Sequence, residues 1–250
     1  MQRRAYVPGL VLLAALVTGC TSGSGADGST ADSKPGETIP AAAPGKYLTL
    51  REPCRTADQG VLKTMFPEIA DLPKEQQEKA YAGTPEPTFD TDRRVGCRWK
   101  GDSPTEAHRL RISMERVVSY DTAVSDDDRA KALFEQRQTA ASVSVQATPN
   151  STPPDGAQGG DGDGDGGTPA DLRPRTLDGL GSAAFLDDIP AKPDAGTPQH
   201  TVRVVFRASN VLVTVEYSET PTDRAALPDI QGLQEMTRSM AHKLAEQISE

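Results

Sequence analysis

Three histidines, a few tight carboxylate groupings and a set of alternating arginines are the side chains in this 250-residue sequence that have chemistry to offer. His108, His200 and His242 are far apart in the chain and show no ligand spacing. A zinc site or a Ser–His–Asp set therefore needs tertiary convergence that the sequence does not announce. Asp161, Asp163 and Asp165, followed by Gly166, match the opening of an EF-hand calcium loop. The twelfth position of that loop, where a bidentate glutamate belongs, is Leu172, so an acidic spacer is the better reading. Asp126-Asp127-Asp128 and Asp187-Asp188 offer paired carboxylates for proton transfer, although such runs more often sit on solvated loops and helix starts. Arg94, Arg98, Arg109 and Arg111 fall on alternate positions of two extended segments, where they would form a basic strip able to bind an anionic wall polymer or partner. No G-x-S-x-G elbow, phosphate loop or dinucleotide fingerprint is present, and Gly179-Leu180-Gly181 reads as a turn. No catalytic set, metal or cofactor is expected from these residues.

The elements that would position this chemistry begin with an address. Arg3 and Arg4 precede an apolar run from Val7 to Val17, which is a secretory leader in form. It is shorter than the roughly 20 residues a bilayer span requires. The run ends at Val17-Thr18-Gly19-Cys20 and resembles a bacterial lipobox. That resemblance implies cleavage after residue 19, a diacylglycerol on the Cys20 thiol and a location at the extracytoplasmic face of the cell membrane. With Cys20 committed to lipid, Cys54 and Cys97 remain as an even pair in an oxidising setting, where a disulfide is expected. Free thiols or a metal site are the alternatives.

Composition narrows the partners. The formal charge is −9, and losing Arg3 and Arg4 with the leader makes it −11. Nucleic acid and electrostatic docking on anionic lipid both select for basic surfaces, so neither is expected. Residues 20–46 are Gly, Ser, Thr, Ala, Pro and scattered charge, which reads as a lipidated cysteine followed by a disordered tether. Order is expected from about Tyr47, in one domain over 47–249 interrupted by a Gly/Asp/Pro-rich insertion at about 148–173.

Within that domain, Thr56 and Gln59 have the spacing of a capping box before Val61, Leu62, Met65 and Phe66. Lys74 to Ala82 favours a solvated helix or an extended loop. Val95, Cys97 and Trp99 alternate with polar residues, as do Leu110, Ile112 and Met114, which predicts a first hairpin. Ser125 is placed to cap a helix over about 126–138. Val202 to Phe206 and Val211 to Tyr217, joined by Ser209-Asn210, predict a second hairpin. Asp229 precedes a long amphipathic helix with Ile230, Leu233, Met236, Met240, Leu244 and Ile248 on one face. The fold class is α+β: an antiparallel sheet of hairpins covered on one face by helices.

The lipobox, the polar tether, Pro53-Cys54 opening a helix and Gly96-Cys97-Arg98-Trp99 on a strand together resemble the actinobacterial cell-envelope lipoproteins grouped as a domain of unknown function. The Gly179-Leu180-Gly181 turn, the second hairpin and the terminal helix fit the same group. The resemblance implies an exported, anchored domain, a Cys54–Cys97 disulfide and no assigned activity. A module binding an envelope protein or cell-wall ligand is the first expectation. A wall or peptide hydrolase and an accessory or sensory subunit of a transporter or receptor are the alternatives. A hydrolase would require His108 or His200 beside carboxylates in a cleft.

Overall fold

The computed structural model describes residues 41–143, 172–190, 198–223 and 225–249. The leader, Cys20, most of the tether, Asp161, Asp163 and Asp165 lie outside these residues, as does the insertion up to Asp171. Seven strands form a single antiparallel sheet in the order β1-β2-β3-β7-β6-β5-β4. They are β1 (Thr84–Pro85), β2 (Arg94–Asp102), β3 (Glu106–Arg116), β4 (Arg175–Leu177), β5 (Ala183–Pro190), β6 (His200–Ala208) and β7 (Val211–Pro221). The longest ladder pairs β3 with β7, from Glu106 opposite Pro221 to Arg116 opposite Val211. Strands from either side of the insertion therefore build one sheet, and the α+β class holds.

Alternation sorts the side chains. Trp99, Leu110, Ile112, Met114, Val204, Phe206, Val213 and Val215 are buried on the inner face. Helices α1 (Pro53–Thr56), α2 (Gln59–Met65), α3 (Lys74–Ala82) and α5 (Ile230–Ser249) cover that face. In α5 the buried residues Leu233, Met240, Leu244 and Ile248 recur at helical spacing and meet β6 and β7. Asp229 starts this helix, its carboxylate accepting the Gly232 N–H at 3.1 Å. Burying side chains of this size contributes roughly 1.5–3 kcal/mol each.

Cover on one face alone is an incomplete description. Helix α4 (Asp126–Ala140) lies on the opposite face, where Ala130 and Phe134 pack on Phe185, Val205 and Leu212. The apolar positions that demand this cover break the alternation of β5, β6 and β7. Ser125 caps α4 as expected, its hydroxyl accepting the Asp128 N–H at 3.0 Å.

The capping box at Thr56 does not form. Ala57 and Asp58 are extended, with ψ of 129° and 122°, so the segment divides into α1 and α2. The cap of α2 is Asp58, which accepts from Val61 N–H at 2.8 Å, and Glu52 caps α1. Lys74–Ala82 is a helix because its one buried side chain, Tyr81, anchors it, donating to the Phe66 carbonyl at 3.1 Å. The domain's contacts begin before Tyr47. Ala42 N–H bonds the Thr122 carbonyl at 2.7 Å, and Gly45 N–H bonds Asp126 at 2.9 Å.

Cys54 and Cys97 form a disulfide, with 5.3 Å between their Cα atoms. It ties α1 to β2 beneath the turn that ends α3. Gly83 makes that turn at φ +72°, where a Cβ would run into Cys97 Sγ and the Trp99 ring. Trp99 Nε1–H completes the junction by donating to the Tyr81 carbonyl at 2.9 Å.

Candidate functional site

The four arginines do share the outer face of the β2–β3 hairpin, and each meets a carboxylate. Arg94 pairs with Glu115 at 3.3 Å and Arg109 with Asp102 at 2.7 Å. Glu86 serves two, taking Arg111 at 2.8 Å and Arg98 at 3.4 Å. It reaches them across Gly96, whose missing side chain leaves the space that the carboxylate fills. The Glu86 hydrogen bonds, with Glu216 at 3.4 Å, hold the Arg111 guanidinium above its usual range. Surface pairs of this kind are individually weak, so their main effect is to order the strip and to neutralise it.

A groove of about 1070 Å³ opens beside this strip. Ile69, Leu72, Ala80 and Trp99 give it an apolar wall, while Arg98, Lys100, Arg109 and Arg111 line its sheet side. Charged residues around it number five cations, with Lys79, against three carboxylates, Glu68, Asp102 and Glu216. Lys79 and Lys100 have no ion pair among the described residues. Next to the groove, β1 pairs only with Cys97 and Arg98. The Trp99–Asp102 edge of β2 thus presents backbone groups without a strand neighbour among the described residues. A smaller cavity of about 420 Å³ lies at the Gly179–Ser182 turn, bounded by Lys131 and Arg207.

His108 and His200 lie on either side of Glu219 across β3, β7 and β6, while His242 stands apart. His242 lies on α5. His200, the first residue of β6, is buried and contacts Asp188 at 3.2 Å. Asp188 also accepts from Gln234 at 2.8 Å and lies 3.9 Å from Arg175. Its neighbour Asp187 faces the other way and pairs with Arg203 at 2.5 Å. Reading Asp187-Asp188 as solvated loop residues is thus corrected: both are buried strand residues with separate partners. Asp126-Asp127-Asp128 is a helix start, as expected. There Asp126 accepts the Gly45 and Ser119 N–H groups, which hold its carboxyl below the usual range.

His108 is where tertiary convergence occurs. It lies on the inner face of β3, directly across the ladder from Glu219 and two residues beyond Glu106 on its own strand. One ligand atom from each of Glu106, His108 and Glu219 lies within 4.8 Å of the other two. His108 Nδ1 is 3.2 Å from Glu68 Oε1. Its ring stacks on Tyr217, with centroids 5.6 Å apart and an interplanar angle of 18°, and Phe66 meets it edge-on. Burial pushes the Glu219 carboxyl up, opposed by the Asp229 N–H at 3.3 Å. Burial and the nearby Glu68 also raise the Tyr217 hydroxyl, which donates to the Met65 carbonyl at 2.5 Å. The alternating Glu106-x-His108 pattern was the only local hint of this cluster; Glu219 and Glu68 arrive through sheet register and the 3₁₀ helix Pro67–Asp71 after α2. Glu52 also lies near Cys54 and Cys97, whose sulfurs are committed to each other.

No family model matches the sequence, and no curated protein is significantly similar to it.

Proposed function

We propose that this chain is an extracytoplasmic lipoprotein, held at the membrane through Cys20, whose α+β domain binds an anionic ligand of the cell envelope in the groove beside β2. The observation that carries the reading is the groove itself: an apolar wall with Lys79 and Lys100 beside it, two cations without an ion pair among the described residues, in a chain whose net charge is −9. Pockets of several hundred cubic ångströms with a few placed polar groups are the usual form of a binding site. The paired arginines would orient a ligand, while the two lysines supply the attraction. The actinobacterial lipoprotein resemblance and the polar tether support this reading, since they would put such a groove outside the membrane.

The test is equilibrium binding of the full chain, in detergent, to acidic and neutral cell-wall polysaccharides of matched length. Salt-sensitive binding to the acidic polymer, lost in a Lys79→Glu/Lys100→Glu variant, is the expected result. Equal binding by the variant, or preference for the neutral polymer, would refute it. Equal affinity for both polymers in the parent would shift the reading toward a protein partner, such as a transporter or receptor subunit.

A further inference from the structure

We propose that Glu106, His108 and Glu219 bind a divalent transition-metal ion, with Glu68 holding the imidazole from behind. The three ligand atoms already converge to within 4.8 Å of one another, close enough for a single ion to span them. Two come from alternate positions of β3 and the third from the residue opposite His108 on β7, so the longest ladder in the sheet fixes their separation. The imidazole is oriented before any ion arrives. Glu68 engages Nδ1 at 3.2 Å; with Nε2 as the metal ligand this would form a carboxylate–histidine–metal relay. Glu68 is itself placed by a local feature of the sequence: its carboxylate fills the space left by Gly101, where a Cβ would collide with it.

Charge points the same way. Three carboxylates, Glu68, Glu106 and Glu219, surround one imidazole, and Asp229 is a fourth acid nearby. Among the described residues none of the first three has a lysine or arginine partner. Neither the Glu106 carboxylate nor Glu219 Oε1 receives a hydrogen bond there, although Glu219 is only 7% exposed. A divalent ion would supply the positive charge that Glu106 and Glu219 Oε1 lack among the described residues. One nitrogen and two carboxylate donors suit Zn²⁺, Mn²⁺ or Fe²⁺ better than Ca²⁺, which takes six to eight oxygens, or Cu(I), which prefers sulfur. Three protein ligands leave at least one position for water or for a ligand group.

The experiment uses the full chain in detergent, stripped with chelator and titrated by calorimetry with Zn²⁺ and, separately, Mn²⁺. One equivalent of at least one ion is expected to bind, with native mass spectrometry reporting the same stoichiometry. Glu219→Gln and His108→Gln should each weaken binding a hundredfold or more while retaining the parent's circular dichroism. Gly101→Ala, which displaces Glu68 without touching a ligand, should weaken it about 10–100-fold. His242→Gln, on α5, should leave it unchanged, and Glu106→Gln gives a second ligand variant should either of the buried ones misfold. Absence of stoichiometric binding of either ion would overturn the proposal. So would binding that survives Glu219→Gln or Glu106→Gln, or that His242→Gln abolishes.

Discussion

Reducing the Cys54–Cys97 bond isolates its contribution more cleanly than mutating it, because the same atoms remain in the folded core. The bond closes a loop with a sequence separation of 43, and its Cα–Cα distance of 5.3 Å lies in the ordinary range for disulfides. The native state should therefore survive reduction, and the loss should fall on the unfolded chain. In the chain-entropy treatment, opening a loop of about 43 residues gives back close to 4 kcal/mol at 25 °C. For a chain of this size, roughly 2–4 °C accompany each kcal/mol, so Tm should drop by about 8–16 °C. Urea unfolding of the full chain with and without a phosphine reductant measures the difference directly, and near-ultraviolet circular dichroism checks that the reduced form is still native. Equal stabilities within about 1 kcal/mol would refute the entropic account. Loss of the native spectrum on reduction would instead show that the α1–β2 junction needs the bond to keep its packing against Trp99.

Three other perturbations have defined outcomes. Leu244→Ala, at a site with no exposed surface beneath β6 and β7, should cost about 2–5 kcal/mol in urea unfolding. Asp126→Asn removes a carboxylate whose folded-state pKa is depressed by the Gly45 and Ser119 N–H groups. Its stabilising effect is present above the unfolded-state pKa and is lost as pH falls through the folded-state value; parent and variant should therefore differ at neutral pH and converge in acid. Cys20→Ser should release the chain from the membrane fraction, and mass spectrometry of the parent's mature terminus should show a lipidated Cys20. An unmodified terminus would sink the anchor proposal.

Much of the fold was legible because alternation and helical spacing are local. Leu110-x-Ile112-x-Met114 and Val211-x-Val213-x-Val215 read as strands from their alternation, and the 3–4 spacing from Ile230 to Ile248 as an amphipathic helix. What escaped depended on choices between near-equal local options or on register. Thr56 and Asp58 are both good caps, and tertiary packing of α1 against β2 selected Asp58. The outer-face cover by α4 was hidden because its apolar stripe is only Ala130, Leu133 and Phe134. The arginine strip was visible in the sequence, but its neutralisation was not, since Glu86 enters through a gap made by Gly96 in the neighbouring strand. The His108 cluster was least visible of all. Glu219 meets His108 only because β7, beyond the insertion, pairs with β3, and Glu68 arrives only because Gly101 makes room.

If the groove beside β2 is the working surface of the domain, hydrogen exchange of the full chain will report it most directly. With the acidic wall polymer bound, exchange should slow over Trp99–Asp102, the edge of β2 without a strand neighbour among the described residues, and over the Leu72–Ala80 wall of the groove. Protection confined to the Gly179–Ser182 turn, or no protection at β2 under saturating polymer, would contradict it.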